Sequence, residues 1–176
     1  MTDSLEDNLC LERVPSPIGG VLLVTDAAGC IRALDFEDYE ARMMRLLRLQ
    51  GGGVVREGAV PGTITEALSR YFAGELEALR GLPCATGGTA FQRQVWAALL
   101  TIPAGQTISY GELAVRCKHP GAARAVGAAN GANPISLVVP CHRVIGVNGT
   151  LTGYGGGLKR KQWLLAHEGA YLEKFC

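Results

Sequence analysis

Over residues 10–36 the pattern of apolar and polar positions is strand-like. Val21 and Leu23, then Ile31 and Ala33, recur at period two, as the buried side of β-strands does. Asp26-Ala27-Ala28-Gly29 sits between the two runs as a turn, and Pro15, Pro17 and Gly19-Gly20 bend the chain before the first long strand. From Asp38 the period lengthens. Met43, Met44, Leu46 and Leu47 take one side of a predicted helix and Arg42, Arg45 and Arg48 the other, until Gly51-Gly52-Gly53 ends it. A second helix is predicted over residues 65–72, stopping at Gly74. Phe36, Tyr39, Tyr71, Phe72 and the Met pair read as core, and this half shows no catalytic constellation.

Residues 82–88, with Pro83 and Gly87-Gly88, read as a linker. Thr89 then opens a capping box with Gln92, and Phe91, Val95, Trp96 and Leu99 follow at helical spacing until Ile102-Pro103-Ala104-Gly105 turns the chain. Ser109 and Glu112 form a second capping-box pattern, starting a helix that runs to about Cys117. His119-Pro120-Gly121 is a tight turn, and residues 122–130 return to helix, so the pair has the form of a helix-turn-helix. Residues 135–139 read as a short buried strand that Pro140 terminates. A turn at Asn148-Gly149-Thr150 and the loop Gly153-Tyr154-Gly155-Gly156-Gly157 lead to a last helix over residues 158–168, stopped by Gly169.

Composition is globular: 176 residues, 48% hydrophobic and 19% charged. No apolar run approaches the roughly 18 residues of a membrane span, and the acidic opening stretch is unlike a signal peptide, so a cytoplasmic protein is expected. The six cysteines are irregularly spaced and read as free thiols. Cys117-x-His119 beside Cys141-His142 is weak spacing for zinc, and no metal or cofactor is expected. The net charge of +1 conceals a division. Residues 1–88 hold 8 Lys/Arg against 13 Asp/Glu, or −5, and residues 89–176 hold 9 against 3, or +6. The basic half suits a polyanion.

Small residues dominate the second helix of the pair, Gly121-Ala122-Ala123-Arg124-Ala125-Val126-Gly127-Ala128-Ala129-Asn130-Gly131. One face, with Ala125, Val126 and Ala129, should pack on a neighbour. Small residues all round need another reason, since each glycine weakens a helix by up to about 1 kcal/mol. A bare helix fits a DNA minor groove about 6 Å wide, where Arg124 alone is long enough to reach the base stack or phosphates. Cys141, set between Pro140 and the potential cations His142 and Arg143, is placed where a thiolate would be favoured. Lys159, Arg160 and Lys161 open the last helix and Glu168 closes it, against the helix dipole at both ends. Glu168 is therefore expected to serve a partner, His142 first and His167 as its rival. Cys141, His142 and Glu168 then form a nucleophile, base and orienter. Asn133, before Pro134, can tie the turn ahead of the cysteine.

The segment Pro140-Cys141-His142-Arg143-Val144, with Asn133-Pro134 upstream and the Gly-Tyr-Gly-Gly-Gly loop downstream, resembles the active-site block of the O6-alkylguanine-DNA alkyltransferases. Phe91-Gln92, Val95-Trp96, Ser109-Tyr110-Gly111, Ala122-Ala123-Arg124-Ala125-Val126-Gly127 and His167-Glu168-Gly169 keep the spacing, and the wording is nearest the bacterial Ogt type. The resemblance implies an α+β protein. A small N-terminal α/β, RNase H-like domain of structural role, residues 1–84, precedes a helix-rich winged-helix/helix-turn-helix-like domain, residues 85–176. It implies base flipping and irreversible transfer of an alkyl group from O6-alkylguanine, and from O4-alkylthymine, to Cys141. The expected partner is alkylated double-stranded DNA, bound by a monomer, with cooperativity along the duplex left open. Cys141, His142, Glu168, Tyr110 and Asn133 are the implied catalytic set, Tyr110 donating to guanine N3 and Asn133 holding a hinge. Arg124, Ala122, Ala123, Gly127, Ala129 and Gly131 would meet DNA, and Tyr110, Val144, Ser136, Tyr154, Gly155 and Gly156 would line the pocket. Gly155 and Ser136 suggest a pocket roomy enough for larger alkyl groups. Two other classes stay open: a Cys–His hydrolase or acyltransferase, which needs an oxyanion hole and leaves the Arg124 helix without a task, and a lesion-sensing binder, which would not need Cys141.

Overall fold

The computed structural model describes residues 8–170; Cys176 and the first seven residues of the acidic opening stretch lie outside it. Four strands form the N-terminal sheet: β1 (Asn8–Val14), β2 (Val21–Thr25), β3 (Ile31–Phe36) and β4 (Val54–Glu57), in the order β3-β2-β1-β4. β1, β2 and β3 run antiparallel as hairpins, and β4 pairs parallel to β1 after the crossover through helix α1 (Glu40–Leu49). This is the RNase H-like arrangement. The alternation holds for Val21 and Leu23, which share a face, but not for Ile31 and Ala33, which fall on opposite faces where the β2–β3 register shifts at Val24/Thr25. Val21, Leu23, Ile31, Leu34 and Phe36 face one cluster, while Leu22, Val24 and Ala33 join Leu9, Leu11, Met43 and Leu47 beneath α1 on the other face. Strand β4 has no sequence signal because it is an edge strand whose four residues are mostly exposed. A 3₁₀ turn over Glu37–Tyr39 precedes α1, so Asp38 stands just outside the α-helix rather than opening it. Helix α2 (Gly62–Phe72) starts three residues ahead of its predicted start, behind Pro61, and turns out at Gly74 with φ +110°.

The other edge of the sheet is covered by later chain. Ile31 N–H donates to Pro83 O at 2.8 Å and Ala85 N–H to Ile31 O at 2.9 Å, so part of the linker is stitched to β3. Leu34 N–H donates to Pro134 O and Ser136 N–H to Leu34 O, both at 3.0 Å. That last contact is the only β feature among the described residues of the stretch read as a strand, a single bridge between Leu34 and Ile135. Residues 136–139 instead form consecutive turns, with Leu137 at φ 70°. The apolar run marks burial here, not pairing: every residue from Ile135 to Val139 is buried.

The second half is helical. Helix α3 (Ala90–Leu99) begins at Thr89, which makes both bonds of the capping box with Gln92. Short strand β5 (Ile108–Ser109) leads into α4 (Tyr110–Arg116); Ser109 accepts from Glu112 N–H, while the Glu112 carboxylate turns to Arg116 at 3.6 Å. Lys118 at φ 60° and Gly121 at φ 83° make the turn to α5 (Ala123–Gly131). Strand β6 (Val144–Ile145) pairs parallel to β5, which fixes the start of the helix-turn-helix against the residues that follow Cys141. Helix α6 (Leu158–His167) ends at Glu168, with Gly169 at φ 77° as its stop. The larger apolar cluster runs through both halves, from Val21 and Tyr71 to Val126, Cys141 and Leu164.

Candidate active site and DNA-facing helix

Cys141 opens a 3₁₀ turn, Cys141–Arg143, and all three side chains are buried. Asn133 builds the approach. Its side chain donates to Val139 O at 2.8 Å and accepts from Ile135 N–H at 3.0 Å, closing the loop on itself. Asn130 donates to Cys141 O at 3.3 Å. The cysteine thus stands at a bend tied from both sides.

Glu168 collects the charge behind it. Its Oε1 lies 2.8 Å from His142 Nε2, and Arg143 grips the carboxylate with Nε to Oε2 at 3.0 Å and Nη2 to Oε1 at 2.9 Å. Arg143 also donates to Ile102 O at 2.6 Å, and the Tyr71 hydroxyl donates to Glu168 Oε1 at 2.7 Å. Burial pulls this carboxyl upward, but the opposing charge and hydrogen bonds of His142 and Arg143 win, holding it well below the usual carboxylate range. An ionised carboxylate can only accept, so Nε2 of His142 carries a proton. His142 Nδ1 is buried and has no hydrogen-bond partner among the described residues. That leaves one imidazole nitrogen open to accept a proton. His167, the rival partner, is neither bonded to Glu168 nor exposed: it lies 2.8 Å from Tyr71 O and stacks on Trp163 at 4.7 Å.

The expectation that flanking cations favour a thiolate needs correction. Arg143 points at Glu168, and burial pushes the Cys141 thiol up; the hydrogen bond from Asn133 and the charges of Arg42 and Lys161 pull the other way. The resting group is a thiol that a base must deprotonate. Lys161 itself is fully buried and spends its three protons on Val144 O at 2.7 Å, Thr152 O at 2.9 Å and Gly153 O at 3.2 Å. Burial lowers its pKa to about 8, against an upward pull from Cys141. Arg160, next to it, donates to Ile18 O at 2.8 Å and pairs with Asp38 at 2.9 Å. Arg160 and Lys161 are therefore lashings for the first half of the chain and for the loop, which periodicity does not reveal.

A cavity of about 130 Å³ opens beside Cys141, lined by Tyr110, Gly127, Asn130, Gly131, Gly153, Tyr154 and Gly155. Of the expected pocket residues, Tyr110, Tyr154 and Gly155 line it. Val144, Ser136 and Gly156 do not: Val144 is buried in the core, Ser136 is buried beside Tyr154, and Gly156 packs against Phe36. Nor does Gly155 widen the pocket, because the space a side chain would take is filled by the Arg42 guanidinium. Arg42 reaches from α1 to bind Asp35 and Gly131 O, each at 2.7 Å, and so joins the first half to the end of α5. The sequence placed it on a solvent face.

On α5, Val126 and Ala129 pack inward as expected and Ala125 does not; it is exposed with Arg124, Ala128 and Gly131. Ala129 is a correction: it is buried, and its carbonyl accepts from Trp96 Nε1 at 2.8 Å, so it belongs to the core rather than to a DNA surface. Ala122, Ala123 and Gly127 are half-exposed, and a Cβ on Gly127 would come 3.6 Å from Tyr110. Arg124 is exposed and makes no ion pair among the described residues. An accessible arginine thus projects from a helix of small side chains beside a cavity that holds a buried cysteine.

Taken together, the site has the form of a buried cysteine next to a histidine held by a carboxylate, on a helix-turn-helix frame, the arrangement of the cysteine–histidine class. Residues 90–170 match the family model described as 6-O-methylguanine DNA methyltransferase, DNA binding domain. The methylated-DNA–protein-cysteine methyltransferase of Shigella flexneri is 53% identical over 164 residues, covering 92% of this chain and 96% of that protein. The one from Salmonella typhimurium is 54% identical over the same shares. Among solved structures, the Mycobacterium tuberculosis OGT in complex with DNA is 42% identical, with a TM-score of 0.75 over 93% of each chain. The chain belongs to the methylated-DNA–protein-cysteine methyltransferase family, whose members are DNA-repair proteins that bind DNA. No helix among the described residues is long and apolar enough to cross a membrane.

Proposed function

We propose that this protein repairs duplex DNA by taking an alkyl group from O6 of guanine onto Cys141, once and irreversibly. The observation that carries the reading is a buried Cys141 followed at once by a buried His142 whose Nε2 lies 2.8 Å from the Glu168 carboxylate, beside a cavity walled by Tyr110 and Tyr154. A base inside a duplex cannot reach a buried thiol, so the lesion nucleotide turns out by about 180° into the cavity. The small-residue face of α5 lies in the minor groove and Arg124 fills the space the nucleotide leaves. Residues 85–176 bind and react, and residues 1–84 support them.

His142 Nδ1 takes the Cys141 proton, through a bridging water, and Glu168 holds the imidazolium by its Nε2–H. The thiolate attacks the alkyl carbon in line with the carbon–oxygen bond. That bond breaks, its electron pair stays on the base, and Tyr110 donates a hydrogen bond to guanine N3 to spread the charge. The product is a thioether with no leaving group, so no thiol returns. O4-alkylthymine offers the same alkyl–oxygen bond and is included in the proposal. The protein acts as a monomer, without metal or cofactor.

A duplex in large excess, bearing tritium-labelled O6-methylguanine, tests this. Transfer should plateau at one methyl per protein molecule. Continued release of label with time would mean turnover and return the hydrolase or acyltransferase reading.

A further inference from the structure

The first half of the chain, expected to be mere support, places one polar group in the catalytic line. We propose that Tyr71, on α2, is a positioning residue for the alkyl transfer: its hydroxyl and its carbonyl together hold the end of α6 so that Glu168 orients His142 without taking the proton. The inference rests on the reaction proposed above for Cys141.

The geometry is specific. The Tyr71 hydroxyl donates to Glu168 Oε1 at 2.7 Å, the same oxygen that His142 Nε2 reaches at 2.8 Å. The Tyr71 carbonyl accepts from His167 Nε2 at 2.8 Å. One residue of α2 thus fixes two successive residues of α6, and both Tyr71 and Glu168 are buried, at 1% and 4% exposure. Phe72 packs edge-on to Tyr71 and against Trp163, which closes the joint.

A hydrogen-bonded carboxylate is a weak base in proportion to the donors it carries. Arg143 gives Glu168 two, His142 one and Tyr71 the fourth. The charged or titratable groups that face the carboxylate are therefore Arg143 and His142 from the 3₁₀ turn and Tyr71 from α2. Tyr154 comes near the other side of the imidazole, with ring centroids 6.4 Å apart. Tyr71 stays a donor throughout, because burial first and Glu168 second push its phenol far above the ordinary value. When Cys141 Sγ–H passes its proton to Nδ1, the imidazolium can lose its other proton only to Glu168. The fourth hydrogen bond disfavours that loss. It also draws charge from the oxygen that faces His142, so removing it strengthens the pull of Glu168 on the Nε2 proton.

Removing the donor should show both effects. For Tyr71→Phe, the rate of Cys141 alkylation by O6-benzylguanine should fall about tenfold near neutrality, the size of one charge-assisted hydrogen bond. The acidic limb of its pH profile should move to higher pH. Site-specific 3-fluorotyrosine in place of Tyr71, which keeps the shape and makes the phenol a stronger donor, should move the limb the opposite way. It also covers the case in which Tyr71→Phe does not fold. Opposite displacements would establish the role. Profiles that superimpose on wild type, or that move in the same direction for both replacements, would reduce Tyr71 to packing and overturn the proposal. A wild-type protein that takes no benzyl group at all would instead strike the reaction assigned to Cys141, which separates the two failures.

Discussion

Replacing Glu168 by glutamine leaves the shape and removes the charge that four hydrogen bonds converge upon. The amide would set an N–H₂ against at least one donor of Arg143, His142 or Tyr71, and Arg143, at 9% exposure, would lose its only counter-ion among the described residues. Breaking a buried pair in this way costs about 3–5 kcal/mol, a large part of the roughly 5–15 kcal/mol that keeps a domain folded. For a chain of this size that is a fall in Tm of about 6–20 °C. The pH dependence has a definite sign. Glu168 is held below its unfolded value, so its contribution is fully present above about pH 4.3, the unfolded carboxyl value. It is lost as pH falls from there toward the folded value. Wild type should therefore lose stability below about pH 4.3 more steeply than Glu168→Gln, and urea unfolding of both proteins between pH 3 and pH 7 measures it. A variant within about 1 kcal/mol of wild type at pH 7, with parallel acid limbs, would refute the view that this carboxylate is an ionised, buried hub.

Three other perturbations test separate parts of the account. Gly155→Ala should drive a methyl into the Arg42 guanidinium, destabilising by about 1–3 kcal/mol and slowing alkylation of Cys141; thermal unfolding and benzylguanine labelling would read both, and an unchanged protein would show that Arg42 yields freely. Lys161 is depressed to about 8 in the folded protein by burial, so the folded state binds fewer protons than the unfolded state between about pH 8 and 10.4 and stability should rise with pH across that window. Lys161→Gln should lack this rise, which paired urea titrations at pH 8 and pH 10 would reveal. Arg124→Ala should weaken binding to lesion duplex and lower the slope of log affinity against log salt by about 1, while leaving the reaction with free O6-benzylguanine unchanged.

Where local rules act alone, the chain could be read directly. The Thr89–Gln92 capping box, the Gly74 and Gly169 helix stops and the helix-turn-helix follow from residues within a few positions of one another. Glu168 was also legible, because a carboxylate at the end of a helix opposes its dipole and demands a partner. Residues 135–139 misled because an apolar run reports burial equally for a strand and for a folded turn; the decisive group is Asn133, whose side chain replaces a neighbouring strand by bonding Val139 and Ile135. Arg42 and Lys161 were out of reach for a different reason. Periodicity assigns charged side chains to solvent, whereas here each meets backbone carbonyls brought close by tertiary packing, Gly131 for Arg42 and Val144, Thr152 and Gly153 for Lys161. Tyr71 looked like core and is core; its hydroxyl finds Glu168 ninety-seven residues away.

The central claim is that Cys141, hidden and uncharged at rest, becomes the acceptor of the alkyl group. Its most direct test is the intact mass of the protein after mixing with duplex DNA carrying one O6-methylguanine, followed by mapping of the modified peptide. The account predicts a gain of one methylene, on the peptide that holds Cys141, and no gain for Cys141→Ser. An unchanged mass with tight binding would contradict it in favour of a lesion sensor, and a methyl group on any other cysteine would contradict the assignment of the nucleophile.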